Sequence, residues 1–311
     1  MTSTHARSRG PRSRPLVRLG QGSYQRDYHP EDLGMSDTTD RPTTAIDLRF
    51  LIREPADVYH ARSNEHVTSH RLAEFRRCPL LFRRKEQGLI ADRDSTAFVV
   101  GRAAHVLVLE GRERYEHEFA VGGPINPKTG KPYGSATKAF AEWAERIGKP
   151  VISDDQAAAI EQMADAVRSH LFAAELLCEG VAEGVVRCEF AGHTCQSRID
   201  WINPLHERGI VDFKTCHSLD DFELDARAFG YVHQMAFYRA LVAEASGFVL
   251  PVHLIAAEKR EPYRCGVWQL SPRVLDAAQR ENEQAMCELT QCRQTGTWPT
   301  RFESLRLYEH P

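Results

Sequence analysis

Apolar positions in the first half of the chain recur at helical spacing. From Ser69, SHRLAEFRRCPLLFRRKEQG predicts a short amphipathic helix, a break at Pro79, then more helix ending at Gly88. FVVGRAAHVLVLEG, residues 98–111, is apolar on most sides, the pattern of a buried helix. AVGGPINPKTGKPYGS, residues 120–135, is a loop rich in Gly, Pro and Lys. Helices follow at about 136–147 and 154–179, the second opened by Ser153 and Gln156 in a capping-box pattern. The period then shortens to two. VAEGVVRCEFAG (181–192), HTCQSRIDWIN (193–203) and RGIVDFKT (208–215) predict strands, with a tight hairpin at Gly192. Residues 218–245 return to helix with a break near Gly230, 249–257 and 263–270 form a second strand pair, and Pro272 starts a last helix to about Gln294. This order predicts one α/β domain, and no internal repeat is visible.

Composition adds limits. The 311 residues are 42% hydrophobic and 27% charged, ordinary for a soluble globular protein. A net charge of −3 gives no overall nucleic-acid signature, so a DNA-binding surface has to be a local patch. No apolar run approaches the roughly 20 residues that span a bilayer, and a cytoplasmic location is expected. The first 26 residues carry six arginines and no acid, without the apolar segment of a secretory signal. Residues 1–45 therefore read as a disordered basic arm and linker, with residues 46–311 as the domain; Met35 also stands as an alternative translation start. The eight cysteines are scattered and include no C-x-x-C pair, so reduced thiols and no structural zinc site are expected.

The candidate chemistry lies in RIDWINPLHERGIVDFKT, residues 198–215. Asp212 and Lys214 share a strand face, since side chains alternate, while Phe213 points into a core. Alone, the triplet reads most simply as a surface ion pair. Together with Asp200 it suits a hard divalent cation and a phosphate oxygen. Four further features line up with it. His105, in GRAAH, shares a helix face with Gly101, which would admit a close neighbour; the bland alternative is a hydrogen-bonded core histidine. Glu110 is turned roughly 140° from His105 at about 100° per residue and is left out. Glu189 precedes the hairpin into the Asp200 strand, or is an edge-strand surface acid. Arg198 lies two residues before Asp200 and could grip a phosphodiester or simply pair with Asp200. Gln234 and Tyr238 share a helix face in YVHQMAFYRA, where a Gln in an apolar stripe needs a polar partner.

The ordered set His, Glu, Asp, D-x-K, Q-x-x-x-Y resembles the PD-(D/E)xK nuclease superfamily and, within it, the RecE (exonuclease VIII) group. The matching pieces run over roughly residues 66–270: SHRLAEFRRCPLLF, GRAAHVLVLEG, the NPKTGK loop, the helix from Ser153, CEF, RIDWI, VDFKT and YVHQMAFY. The resemblance implies a restriction-endonuclease-like core, a central mixed sheet flanked by helices, with an N-terminal helical region. It implies metal-site acids at Asp200 and Asp212, the catalytic lysine at Lys214, and a backbone carbonyl ligand at Phe213. His105 maps close to a second metal position, Glu189 to an acid before the first Asp, and Gln234 and Tyr238 to groups supporting substrate phosphate and the lysine. Lys214 would act as a base only if its pKa fell, or else stabilise charge. The implied activity is Mg²⁺-dependent (Mn²⁺ substituting) exodeoxyribonuclease action on ends of linear double-stranded DNA, 5′ to 3′. A single-strand annealing protein and a homo-oligomer, a tetramer, are the implied partners. No G-x-x-x-x-G-K-[ST] occurs, so no ATP use is expected. Cys78, in RRCPLLF, resembles the first cysteine of relatives that hold an iron–sulfur cluster, but only Cys287 and Cys292 lie close together near the C-terminal end, so no cluster is expected. Two other readings stand beside this one: a single-strand or repair-type nuclease of the CRISPR-associated or AddB kind, and a DNA-end-binding module without catalysis.

Overall fold

The computed structural model describes residues 45–90 and 96–308. The basic arm read at residues 1–45 lies outside them but for its last residue. A 3-10 turn at Leu48–Phe50 precedes helices α1 (Ala56–Ala61), α2 (Ser69–Arg77) and α3 (Pro79–Glu86). Thr68 caps α2 by accepting the Arg71 N–H. The residue before a proline is held extended, so Cys78 ends α2; its thiol then caps α3 at the Leu81 N–H. Next come α4 (Thr96–Leu109), α5 (Arg112–Glu118), β1 (Ala120–Val121), α6 (Lys138–Ile147), β2 (Val151–Ile152), α7 (Asp154–Ser169) and α8 (Leu171–Leu177). β1 and β2 pair in parallel. The expected capping box at Ser153 and Gln156 is present. The single helix expected over 154–179 is two, because His170 leaves the helical region at ψ 114° and its ring caps α8 at the Ala173 N–H.

The sheet follows: β3 (Val181–Phe190), β4 (His193–Ile202), β5 (Ile210–Cys216), then helices α9 (Phe222–Ala228) and α10 (Tyr231–Ser246), then β6 (Val252–Glu258), β7 (Cys265–Gln269) and the long α11 (Pro272–Thr295). Ala191 and Gly192, both at positive φ, form the two-residue turn between β3 and β4. Strand order is β3-β4-β5-β6-β7. Only β5 and β6 run parallel, with α9 and α10 crossing between them; the other neighbours are antiparallel. The mixed sheet flanked by helices is the architecture the sequence pointed to.

Two cores cover the two sheet faces. Leu72, Phe75, Phe237, Leu241 and Leu289 of α2, α10 and α11 pack on one. Ala104, Leu107, Ile160, Met163 and Ala173 of α4, α7 and α8 pack on the other. On β5, Ile210 and Cys216 join the first core while Val211 and Phe213 join the second. Strand alternation therefore turns Asp212 and Lys214 toward α10.

Candidate metal centre and active site

The site begins where two strands part. The β4–β5 ladder holds Ile202 against Ile210 and Trp201 against Val211, then ends. The next facing positions in that register are Asp200 and Asp212, at the mouth of the fork. Phe213 donates its N–H to Asp200 Oδ2 at 3.0 Å. An extended residue presents its N–H and C=O on the same edge, so the Phe213 carbonyl also faces the fork. Its side chain is buried beside His105, ring centroids 6.4 Å apart.

α4 lays His105 over this opening. Its Nε2 lies 2.7 Å from Asp200 Oδ2 and its Nδ1 3.1 Å from Glu183 Oε1. His105, Glu183 and Asp200 each offer a ligand atom, all within 4.8 Å of one another. Asp212 is wholly buried. Lys214 Nζ stands 2.5 Å from its Oδ2, but at angles that leave both carboxylate oxygens without a well-directed hydrogen bond. The lysine also lies 5.0 Å from the centroid of the Tyr231 ring, a cation–π contact. Gln234 Nε2 donates to Tyr238 Oη at 2.9 Å, the partner its place in an apolar stripe required.

One expectation needs correction. Glu189 stands apart from this group. It lies opposite Thr194, near the hairpin, and accepts that hydroxyl at 2.7 Å. The acid beside His105 and Asp200 is Glu183, six residues earlier, about 20 Å along an extended strand. Glu183 has a φ of 57°, a left-handed conformation rare for a residue with a side chain. The alternation of faces breaks there: Val186 and Cys188 pack on the first core, but Ala182 packs on the second. The same break occurs across the ladder, where Ile199 and Ile202 face one core and Trp201 the other. This paired kink aims Glu183 and Asp200 at His105. Arg198 pairs with Glu183, not Asp200. Glu110, left out on helical angle, is not in the cluster of His105, Glu183 and Asp200; it lines an adjoining cavity of about 320 Å³ with Glu54, Glu183, Arg53, Arg114 and Arg198. At Gly101 an added Cβ would meet only Thr215 Oγ1 at 3.7 Å, an ordinary contact, so close approach does not require the glycine.

The charges are coupled. Burial alone would depress His105, but Asp200, Glu183 and Asp212 outweigh it and raise its pKa to about 9. Burial works against ionised Asp200 as well; the imidazolium, Lys214 and the Phe213 N–H overcome it and bring the carboxyl to about 2. Asp212 is pushed up to about 7, first by burial and then by the Asp200 charge, with Lys214 and His105 opposing. Glu183 is likewise raised to about 7 by burial, Asp200 and Glu110, against His105 and Arg198. Lys214 stays above its ordinary value because Asp212 and Asp200 outweigh its burial. Burial and the two aspartates push Tyr238 well above the usual tyrosine range. Protonated His105, clamped between two carboxylates, thus serves as the local counter-cation.

The donor set fits a hard divalent ion. Carboxylates, one imidazole and a strand-edge carbonyl are the oxygen-rich ligands Mg²⁺ or Mn²⁺ takes. The two under-bonded oxygens of Asp212 are the kind of buried acceptor a cation would satisfy. Tyr231 and Glu183 are the residues sequence reasoning missed. Tyr231 was hidden in an apolar helical stripe; for Glu183 only the backbone at φ 57° discloses the turn.

Comparison with known proteins bears on the family and the fold. A family model described as a PDDEXK-like domain of unknown function matches residues 69–311, and the chain belongs to that family. Its fold is that of the PD-(D/E)xK nuclease superfamily. A crystal structure from Eubacterium rectale, described as a "putative exonuclease", superposes with a TM-score of 0.60 at 17% identity, covering 84% of this chain and 96% of that one. No curated protein matches. Among the described residues no helix is long and apolar enough to cross a membrane.

Proposed function

We propose that this chain is a divalent-metal-dependent exodeoxyribonuclease that hydrolyses phosphodiester bonds at the ends of linear duplex DNA. The observation that carries the reading is the facing of Asp200 and Asp212 across the fork of β4 and β5, with Lys214 on one and His105 and Glu183 on the other. Asp200, Asp212, Glu183 and the Phe213 carbonyl would hold Mg²⁺ or Mn²⁺, joined by His105 only where it gives up its proton. The chemistry such an ion supplies is polarisation of the phosphate and acidification of a bound water.

The remaining work falls to the chain. Two carboxylates hold Lys214 as an ammonium, which suits it to stabilise negative charge developing on the phosphate rather than to take a proton. Tyr231 steadies the ammonium from its ring face. Gln234 spends one amide hydrogen on Tyr238 and has a second for a phosphate oxygen. Arg198, held by Glu183, lines the adjoining cavity, where Arg53, Arg114 and Arg198 face Glu54, Glu110 and Glu183. The roles proposed for these groups are all toward phosphate, in keeping with recognition through the backbone. The resemblance to the RecE group extends the proposal to 5′ to 3′ polarity, a single-strand annealing partner in phage-type recombination, and a homotetramer.

The test uses linear duplex labelled at the 5′ or the 3′ end, and closed circular duplex, each with Mg²⁺ and with EDTA. Release of mononucleotides from linear DNA alone, only with Mg²⁺, is the expected result. Cutting of the circle, or no cutting of either with Mg²⁺ or Mn²⁺, would overturn it.

A further inference from the structure

α9 and α10 meet at Gly230, whose φ of 73° turns the chain sharply. The aromatic residues on either side of it are treated differently. Tyr231 touches Lys214 through its ring face, as described, and lies 6.2 Å from Phe222 between ring centroids. Phe222 is buried and packs 4.4 Å from Trp268. Phe229 lies 5.8 Å from Tyr231, rings inclined by 33°, yet is 65% exposed. Scattered exposed hydrophobic residues are common and by themselves mean little. Phe229 is distinguished by position: it is the open end of an aromatic row whose other end is anchored in the core and whose middle carries Lys214. Beside the same turn, Arg76 Nη2 lies 3.6 Å from where a Cβ on Gly230 would be. Arg76 hydrogen-bonds the Asn282 amide oxygen and has no ion pair within 4 Å among the described residues, though the Glu281 charge acts on it from further off.

We infer that Phe229 is a stacking platform for a nucleobase of the strand presented to Asp200, Asp212 and Lys214, with Arg76 placed for a phosphate of that strand. The inference rests on the nuclease reading of the site. Every base has a π-face, so stacking gives grip without sequence preference, which suits an enzyme that must accept any end. The row is rigid at its buried end, so little side-chain freedom is lost when a base lands on it.

The test compares wild type with Phe229→Ala, Phe229→Leu and Phe229→Trp; the position is exposed, so folding is not at stake. Two readouts are used. In Mg²⁺, KM and kcat are measured on linear duplex. In EDTA, quenching of 2-aminopurine at the terminal nucleotide is measured on single-stranded oligonucleotides. Phe229→Ala and Phe229→Leu should raise KM at least about fivefold, the low end of base–aromatic stacking, with kcat little changed, and should lose the quench. Phe229→Trp should keep both. An unchanged KM and quench in Phe229→Ala, or full function in Phe229→Leu, would overturn the platform. If wild type cleaves nothing, the nuclease reading fails, and the quench still decides whether Phe229 stacks on bases.

Discussion

Lowering the pH from 8 to 6 should weaken divalent-cation binding by at least about two orders of magnitude. The perturbation acts on Asp212 and Glu183, each raised to about 7 by burial and by the neighbouring Asp200 charge. A carboxyl with that value is roughly tenfold less ionised at pH 6 than at pH 8, and two such ligands multiply to about 100-fold, near 3 kcal/mol. His105, raised to about 9, separates two arrangements. If a ring nitrogen coordinates, its lost proton adds roughly another 100-fold over the same interval; if the ring stays clamped between carboxylates, nothing is added. Titration calorimetry with Mn²⁺ at pH 6, 7 and 8, without DNA, measures this. A dissociation constant that changes less than about threefold would refute the reasoning, and Glu183→Gln should remove about one tenfold step. The cation-free fold moves the other way. Asp212 and Glu183 sit above their unfolded values, so the stability they contribute is complete below about pH 4 and is lost as the pH rises through about 7. The His105 contribution is complete below about pH 6.5 and is lost as the pH rises through about 9. Metal-free protein should therefore melt lower at pH 8 than at pH 6, and Mn²⁺ should reverse that order.

Other outcomes follow from single contacts. Lys214→Ala should cut kcat by roughly 10²–10³ and leave Asp212 buried without its counter-charge, at a cost on the order of 3–5 kcal/mol at pH 8 in urea unfolding. At pH 6 that cost should shrink, because Asp212 can take up a proton; an equal cost at both values would contradict its raised pKa. Glu189→Gln should leave cleavage unaltered and stability within about 0.5 kcal/mol, since the residue is exposed and its one side-chain hydrogen bond among the described residues is to Thr194. Gly209→Ala should destabilise by at least about 1–3 kcal/mol: the residue has φ 57° and an added Cβ would lie 2.3 Å from the Pro251 carbonyl. A urea midpoint equal to wild type would show that the entry to β5 tolerates rearrangement.

Much of the fold was legible because the long helices and most of each strand keep one period, and marked residues end them: Pro79, Gly192, Gly230 and Pro272 all fall at the breaks expected of them. Elements without such signals were not read. β1 and β2 are two residues each and exist through pairing with one another, and α5 continues from α4 after a turn at Gly111. The candidate site was legible where one strand carries its groups, as with Asp212, Phe213 and Lys214, or where helical spacing does, as with Gln234 and Tyr238. It failed where geometry departs from the period. Uninterrupted alternation puts Glu183 and Glu189 on one face and makes them equivalent; the left-handed residue at Glu183 breaks that equivalence. Contacts between distant segments, such as Arg198 with Glu183 or Lys214 with Tyr231, carry no local pattern.

The measurement that bears most directly on the site is cleavage of linear duplex in Mg²⁺ by wild type and by Asp212→Asn, with circular dichroism confirming that both are folded. Asn keeps the shape of Asp212 and removes its charge, so the account predicts release of nucleotides by wild type and at least a roughly 100-fold loss in the variant. Cleavage at equal rates by both proteins would show that the fork of β4 and β5 is not where the phosphodiester is broken.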